Sequence, residues 1–342
     1  MQKIEEQRQQ ALDYLGAKVD SGNYNPTLVM IGYLLIAGMS PQIEKIMGVS
    51  TVQDATNTVA TDLYAVGHGI NYFIQNADNL GSSDFWESAT TQQELESFTT
   101  ALTNIFYGNY TANIQKGDLG VEIGGETYYI TVETPNLNAS PDNVSLDVKL
   151  TTTPPTGVAS DLDIMLSLAL QDAVANAPTG SISSPPTQDE LNQLAKQAQS
   201  GPIVQTLMGL GTDMNTWGTD EGGGSLFWDF IKMGVLYQGG GGTGTDVDHL
   251  INQIEGQMKK LGKSYGDSIN PDSSKYGETT AFSASSTDVQ NAQKAISSVN
   301  QQNIQIGKIS TQLISMVQNV GQSMEKASES LNSTIVNGLK PS

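Results

Sequence analysis

The chain has few side chains that could act as acid–base catalysts or as soft metal ligands. His68 and His249 are its only histidines, and it has no cysteine. His249 follows Asp246 and Asp248 in the run TDVDHL, where two carboxylates and an imidazole could together hold a metal ion. The same run opens a predicted helix, and aspartates at a helix N-terminus are stabilised by the helix dipole. We therefore predict no metal site here, and we expect His68, which lies off the apolar stripe of its helix, to be a solvated or interface residue.

The run GTDMNTWGTDEGGG has part of the spacing of a calcium-binding loop. Asp213, Asn215 and Gly218 would take the first, third and sixth positions of an EF-hand loop. Trp217 at the fifth position cannot bind calcium, and Gly224 stands at the twelfth position, where the motif requires a glutamate. We expect a surface turn anchored by Trp217 instead.

The motifs give no support to nucleophilic catalysis or to nucleotide binding. There is no GxSxG run, and the lack of cysteine excludes thiolate nucleophiles, thiolate zinc sites, iron–sulfur clusters and disulfides. The glycine run 239–242 is followed by TGT rather than by the GK[ST] of a phosphate-binding loop, which favours a flexible spacer. We predict that the protein is not an enzyme and has no catalytic, cofactor-binding or metal-binding residues.

The charge balance limits the partners. Sixteen lysines and arginines stand against 36 aspartates and glutamates, which gives a formal net charge of −20. Nucleic-acid backbones and anionic membrane surfaces attract basic patches, so we expect neither as a partner. The most apolar run, Thr27 to Met39, has 13 residues, whereas a helix needs about 20 to cross a bilayer. We expect this run to be a buried helix, and we expect no stable membrane insertion.

Heptad patterns dominate the N-terminal part of the chain. Residues 1–25 are predicted to be a flexible segment, and residues 26–106 to be helical. A capping-box pattern at Ser50 and Gln53 precedes apolar positions that alternate at spacings of four and three, which is a coiled-coil seam. A second box, at Thr91 and Glu94, is expected to open another helix. The seam positions assigned to self-assembly here are Val52, Val59, Leu63, Val66, Ile70 and Phe73.

The middle of the chain, residues 107–284, has a mixed pattern. In the run DLGVEIGGETYYITVE, Gly124 and Gly125 separate two β-prone stretches, which predicts a hairpin. The run 143–150 alternates polar and apolar residues, which predicts a third strand. Helices are expected at 161–177, 191–199, 202–209, 225–237 and 246–261, followed by a loop over 262–285.

A long polar helix is predicted for the C-terminal part, residues 285–342. Its seam runs for nearly seven heptads from residue 289, and 46 residues would make a rod of roughly 70 Å. The seam positions assigned to self-assembly are Val289, Ile296, Val299, Ile306, Leu313, Val317, Val320, Met324 and Leu331.

The sequence of this C-terminal helix does not suit a coiled coil of only two helices. Its seam includes Asn303 and Ser310, while Ile304, Ile309 and Met316 lie off the seam. A helix with apolar positions beyond a two-residue stripe has more than one neighbour. Either other copies of the protein cover the surplus apolar face, or the protein's own central domain covers it.

The patterns together predict a fold that is mainly α with a smaller β portion, an α+β class. Both ends carry heptads and the middle does not. We therefore expect the N- and C-terminal helices to form an antiparallel coiled-coil stalk, with the mixed central domain inserted between them and displayed on the surface.

The two ends together resemble the EspA-like filament proteins of bacterial type III secretion systems. The resemblance rests on the runs NPTLVMIGYLLIAGM, VQDATNTVATDLYAVGHGINYFIQNADNL and VQNAQKAISSVNQQNIQIGKISTQLISMVQNV, and it covers residues 26–80 and 285–340. In that family the terminal helices form a coiled coil and polymerise into a hollow tube through which secreted proteins pass. The family has a much smaller middle, so a needle-tip or translocator-like capping protein and a flagellin-like surface polymer remain open as alternatives.

The resemblance implies a virulence-associated structural subunit that assembles with copies of itself into an extracellular helical filament. It implies export through an uncleaved signal in residues 1–25, and a location outside the bacterium or on its surface. A secretion chaperone and a needle or translocator protein would be further partners. The alternative from a different class is a self-contained soluble protein with a helical stalk.

Overall fold

Helices make up most of the described part of the protein, because its apolar residues recur mainly at helical spacing. The computed structural model describes residues 54–133, 146–218, 224–239, 244–269, 285–298 and 301. The chain divides into one unit of Asp54–Ser298 and another of Met1–Gln53 with Val299–Ser342. Apart from residue 301, the description concerns the first unit. The segment 1–25, the apolar run at Thr27–Met39 and the box at Ser50 and Gln53 lie outside the described residues.

Nine helices and three strands are described in this unit. The helices are α1 (54–75), α2 (Ser83–Glu87), α3 (Ala89–Phe106), α4 (Asp161–Ala175), α5 (Gln188–Gln199), α6 (Pro202–Asn215), α7 (Leu226–Gly239), α8 (Gly244–Ile269) and α9 (285–298). The strands are β1 (Val121–Ile123), β2 (Glu126–Val132) and β3 (Val148–Thr151). The predicted α+β class is confirmed, while the coiled-coil stalk depends on residues outside the description and stays a prediction.

The strands form one antiparallel sheet in the order β1-β2-β3. Gly124 and Gly125 link β1 to β2 with φ angles of 60° and 90°, which are the positive values that a two-residue type I′ turn requires. Val121 pairs with Tyr128, so the predicted hairpin is confirmed in its place and its turn. The third strand is also confirmed, at the end of the predicted run.

Polar side chains fix where several helices begin. Ser160 with Asp163 and Thr187 with Glu190 form capping boxes at the starts of α4 and α5. The box predicted at Thr91 and Glu94 is wrong. Ser88 is the N-cap of α3, and its Oγ accepts from the Thr91 backbone N–H at 3.2 Å.

Two other boundaries differ from the sequence prediction. Helix α8 continues to Ile269, so the loop predicted from residue 262 is wrong for its first eight positions. Helix α6 continues past residue 209 to Asn215 because apolar residues still recur on its buried side, where Leu210 and Met214 are fully covered.

A buried carboxylate attaches the sheet to α4. Both oxygens of Asp163 are satisfied: Oδ1 accepts from the Val132 backbone N–H at 2.8 Å, and Oδ2 accepts from Ser160 and from the Lys116 ammonium at 3.1 Å. A buried charge is tolerated only when it is paired and fully hydrogen-bonded, and this one is.

Aromatic rings from four parts of the chain form the centre of the unit. Phe73 of α1 meets Phe98 of α3 with ring centroids 5.2 Å apart, and Phe98 meets Phe230 of α7 at 5.3 Å. Trp217, after α6, stacks on Phe98 at 6.3 Å and is fully buried. Helices from both sides of residue 106 therefore share one core, and the boundaries predicted at 106/107 and 284/285 fall inside the Asp54–Ser298 unit.

Helices α3 and α7 approach each other closely enough to exclude a side chain. A Cβ atom at Gly234 would collide with the Thr99 carbonyl group and with Oγ1 of Thr103. The hydroxyl of Thr103 donates to the Ile231 carbonyl of α7 at 3.0 Å, so the contact is made by backbone and small polar groups. Glycine is required here because nothing larger than hydrogen fits.

Replacing Gly234 by alanine should lower the free energy of unfolding by about 2 kcal/mol, because the methyl group would meet a backbone carbonyl that cannot move aside. Gly239→Ala, in the same helix, is the matched control, since no described atom lies within 4 Å of its Cβ position. Its stability should stay equal or rise by up to about 1 kcal/mol. Urea unfolding followed by circular dichroism measures both, and equal stability of the two variants would contradict the close approach.

Candidate assembly site

The N-terminal seam residues that fall within the description are core residues. Val59, Leu63, Val66, Ile70 and Phe73 are each no more than 1% exposed. Val52 lies outside the described part of the chain. The spacing of four and three therefore marks the buried side of α1.

Helix α1 runs antiparallel to α3 within the same unit. Three side-chain bonds, in reverse order along the two helices, show this: Asp62 to Asn104 at 3.1 Å, His68 to Glu94 at 2.8 Å and Tyr72 to Thr91 at 2.8 Å. The buried stripe of α1 is thus covered in part by α3 and by the aromatic cluster. This stripe of α1 is covered within its own unit. The surplus apolar positions of the C-terminal helix, Ile304, Ile309 and Met316, lie outside the described residues, so both alternatives for what covers them stay open.

The start of the C-terminal seam is buried as well. Val289 and Ile296 are 3% exposed, and Ala292 between them is fully covered, which reproduces the predicted spacing of three and four. The other C-terminal positions lie beyond the described residues: Val299, Ile306, Leu313, Val317, Val320, Met324 and Leu331.

Helices α1 and α9 meet at a glycine. A Cβ atom at Gly67 would lie 2.7 Å from Cγ1 of Val289, which is closer than two carbon atoms can come. Gly67 therefore leaves the space into which the Val289 side chain packs. Ser285, one turn before Val289 on the same side of α9, adds a polar contact: its Oγ accepts from Nε1 of Trp217 at 3.1 Å.

The contact between α1 and α9 can be measured with a double-mutant cycle. Gly67→Ala and Val289→Ala should each destabilise the unit, the first by crowding and the second by leaving a cavity. The double variant should lose about 1 kcal/mol less unfolding free energy than the sum of the two single losses. The reason is that the new methyl group takes the space that the valine side chain vacates.

The control cycle uses Gly69→Ala with Val289→Ala. Gly69 faces Phe98 of α3 rather than α9, so its effect should add to that of Val289→Ala. Chemical unfolding gives all the free energies, and additivity in the Gly67 cycle would contradict the contact.

A pair of carboxyl groups, of which Asp161 is buried and Asp62 half-buried, joins α1 to the first turn of α4. Asn109 donates to Oδ1 of Asp161 at 2.7 Å, and Asn104 donates to Oδ1 of Asp62 at 3.1 Å. Oδ2 of Asp161 is buried and meets no donor among the described residues, and the group it faces is the carboxyl of Asp62. One proton shared between the two carboxyls satisfies both groups.

Burial sets the protonation of this pair. It raises the pKa of Asp161 well above the ordinary value, and the charge of Asp62 raises it further. Burial also raises the pKa of Asp62, against the opposing effect of the bond from Asn104. A carboxyl whose pKa is higher in the folded state stabilises the fold at low pH, and that stability is lost as the pH rises through the folded-state pKa.

Asp161→Asn should therefore stabilise the protein at pH 7.5 by about 1–3 kcal/mol and change little at pH 4, because the amide donates permanently where the acid needs a proton. Asp172→Asn is the control, since Asp172 is an exposed carboxylate of the same helix. Urea unfolding across this pH range measures the difference. A loss of stability at pH 7.5 would mean that the pair is ionised and held by other means.

No group of three or more His, Cys, Asp or Glu residues in the described part of the chain could hold a metal ion. The EF-hand spacing is not realised, because Asp213 and Asn215 belong to the last turn of α6. The predicted turn is present at Thr216 and Trp217: Thr216 is exposed, and Trp217 anchors the turn by lying in the core. His68 is 55% exposed and pairs with Glu94, as expected of a solvated or interface residue.

Two open grooves lie on the surface of the Asp54–Ser298 unit. One, of about 640 Å³, lies between α4 and α5 and carries the carboxylates of Asp172 and Glu190. The other, of about 530 Å³, lies at β3 and includes Lys149, which is paired with Glu133. Neither groove contains a histidine or a buried carboxyl pair.

Sequence reasoning missed the two glycines of α1 and the carboxyl pair. The glycines were recognisable in the sequence, since Gly67 and Gly69 interrupt a predicted helix of larger residues. Asp62 was also recognisable in the sequence as unusual, because it adjoins the seam residue Leu63 and has no lysine or arginine three or four positions away to pair with its charge. Nothing in the sequence identifies its partner, because the pairing depends on a contact across about 100 residues.

None of the described helices is both long and apolar enough to cross a membrane. Comparison of the chain with protein-family models, with characterised proteins and with solved structures found no match.

Proposed function

We propose that the protein is a structural subunit that assembles through its terminal segments into an extracellular helical filament of a secretion system, with the central part displayed outward. In this proposal the N- and C-terminal helices pair as an antiparallel coiled coil. The filament serves as a conduit for secreted proteins, and a chaperone covers the seam before assembly.

The observation that carries the proposal is the burial of the first C-terminal seam positions. Val289, Ala292 and Ile296 are covered within the unit, and the same spacing continues in the sequence to Thr334 without a stutter. A seam that is buried where it begins needs a cover for the remaining heptads as well, since a sustained apolar stripe is not left in water.

The buried residues also restrict which positions can meet another copy. Val59, Leu63 and Ile70 lie in the core of the unit and cannot leave it without unfolding the unit. Assembly in this proposal therefore uses the residues before 54 and after 298. The exposed surface of α1 offers Tyr64, which is 68% exposed, as a further contact.

Negative-stain electron microscopy tests the proposal. The purified chain should form long tubes, and Val317→Asp with Val320→Asp should abolish them, because two charges would enter the predicted seam. The matched control is Asn319→Asp with Gln322→Asp, which adds the same charge at two positions that are polar in every heptad and should leave the tubes intact. Circular dichroism should show the same core stability in all three proteins.

Other outcomes separate the alternatives. Small closed rings would favour a capping protein of the needle-tip kind. A monomer at high concentration, with or without the substitutions, would contradict both forms of assembly and leave a self-contained protein with a helical stalk. Tubes that survive in the Val317/Val320 variant would show that assembly does not use this seam.

A further inference from the structure

The described unit contains the same short pattern twice: a hydroxyl residue, two prolines and a threonine. One copy is TPPT at residues 153–156, after β3, and the other is SPPT at residues 184–187, before α5. Runs that combine threonine or serine with proline are typical of O-glycosylated segments. The two copies have different surroundings in the structure, so comparing them shows which hydroxyl groups an enzyme could reach.

Both hydroxyl groups of the second copy, residues 184–187, are engaged within the protein. The Ser184 hydroxyl donates to the Gly124 carbonyl in the turn between β1 and β2. Thr187 is the N-cap of α5: its Oγ1 accepts from the Glu190 backbone N–H at 3.4 Å and donates to the Glu190 carboxylate at 2.9 Å. An enzyme could use either hydroxyl only after these contacts had opened.

The hydroxyl groups of the first copy and of the residue before it are free. Thr152, Thr153 and Thr156 are exposed, and within the described part of the chain their hydroxyls make no hydrogen bond. Thr153 is bonded only through its backbone N–H, which donates to Oγ1 of Thr151 at 3.1 Å. A second reactant can therefore reach the three hydroxyls without any change in the fold.

Prolines hold this run extended between two fixed points. Thr153 and Pro154 each precede a proline, which disfavours the helical region of the backbone and favours an extended chain. The run begins at the end of β3 and ends at Gly157, whose carbonyl accepts from the Lys116 backbone N–H at 2.9 Å. An extended surface loop that is anchored at both ends can enter an enzyme's cleft while the unit stays folded.

We propose that Thr152, Thr153 and Thr156 are an acceptor site for O-linked glycosylation, and that residues 184–187 are not. The co-substrate is a sugar activated as a nucleoside diphosphate, and a separate transferase catalyses the step. The threonine oxygen bonds to the anomeric carbon of the sugar, the bond from that carbon to the diphosphate oxygen breaks, and the nucleoside diphosphate leaves. The hydroxyl proton passes to a base of the transferase.

The charges around the loop favour a neutral group over a phosphate. Lys149, which lines the groove beside the loop, is already paired with Glu133. A phosphate on the loop would add negative charge near this carboxylate, in a chain whose formal net charge is −20. A neutral sugar adds bulk and hydroxyl groups without that repulsion.

This inference goes beyond the proposed function and does not depend on it. The loop belongs to the Asp54–Ser298 unit, and the modification involves no residue of the predicted seams. The modified threonines can be identified whether or not the chain assembles. The glycosylation site can therefore fail while the filament proposal holds, and the reverse is equally possible.

Intact-mass spectrometry of the full chain from its native source tests the site. The protein should be heavier than its sequence by whole hexose or N-acetylhexosamine units, and electron-transfer fragmentation should locate them on Thr152, Thr153 or Thr156. Replacing these three exposed residues by valine should restore the sequence mass and leave the fold unchanged. Replacing them by serine should keep the modification, because serine retains the hydroxyl.

A purified polypeptide N-acetylgalactosaminyltransferase with its UDP-linked sugar tests whether the fold selects between the two copies. The rate at residues 152–156 is divided by the rate at residues 184–187, both in the folded chain and in free peptides with the same two sequences. This ratio should be roughly tenfold higher in the folded chain, because only there do local contacts protect the second copy.

The opposite results are equally clear. A native protein with the mass of its sequence, or with sugars confined to other residues, would overturn the site. Phosphate in place of sugar on the same threonines would overturn the choice of a neutral group. Equal rate ratios in the folded chain and in the peptides would contradict the protection of Ser184 and Thr187.

Discussion

The close approach of α3 and α7 is the constraint on which the remaining packing depends. Gly234 allows the backbone of α7 to come within hydrogen-bonding distance of the Thr103 hydroxyl of α3, and that separation places Phe98 and Phe230 in contact. Phe73 and Trp217 then pack against these rings, which fixes α1 and the segment after α6. A wider separation would leave the aromatic rings unable to interlock, because a protein interior has no room for a gap of even one methyl group.

Two buried acids show how differently the same side chain can be accommodated. Asp163 is paired with Lys116 and takes three further N–H and O–H donors, so its charge is stable in the interior. Asp161, two residues earlier, has one amide donor and faces another acid. The first attaches the sheet to α4 through a paired charge, and the second makes the joint between α1 and α4 depend on pH.

Local features of the fold were accessible from the sequence, and distant ones were not. The Gly124-Gly125 turn, the helix starting after Ser160 and the buried stripe of α1 all follow from patterns within a few residues. The neighbour of that stripe was not predictable, because periodicity defines a buried side without identifying what covers it. For the same reason Asp62 and Gly67 were identifiable as unusual residues, but their partners Asp161 and Val289 required the structure.

Trp217 also has a mechanical consequence. Its carbonyl accepts from Gln257 of α8, its indole bonds to Ser285 of α9, and its ring lies flat on Phe98. A pull on the chain at the end of α9 would therefore be transmitted through the indole to the aromatic core and shared with α8. The sheet is attached separately, through Asp163 and α4, and lies off this load path. Its outer strands could change in sequence without altering how the C-terminal helix is tethered.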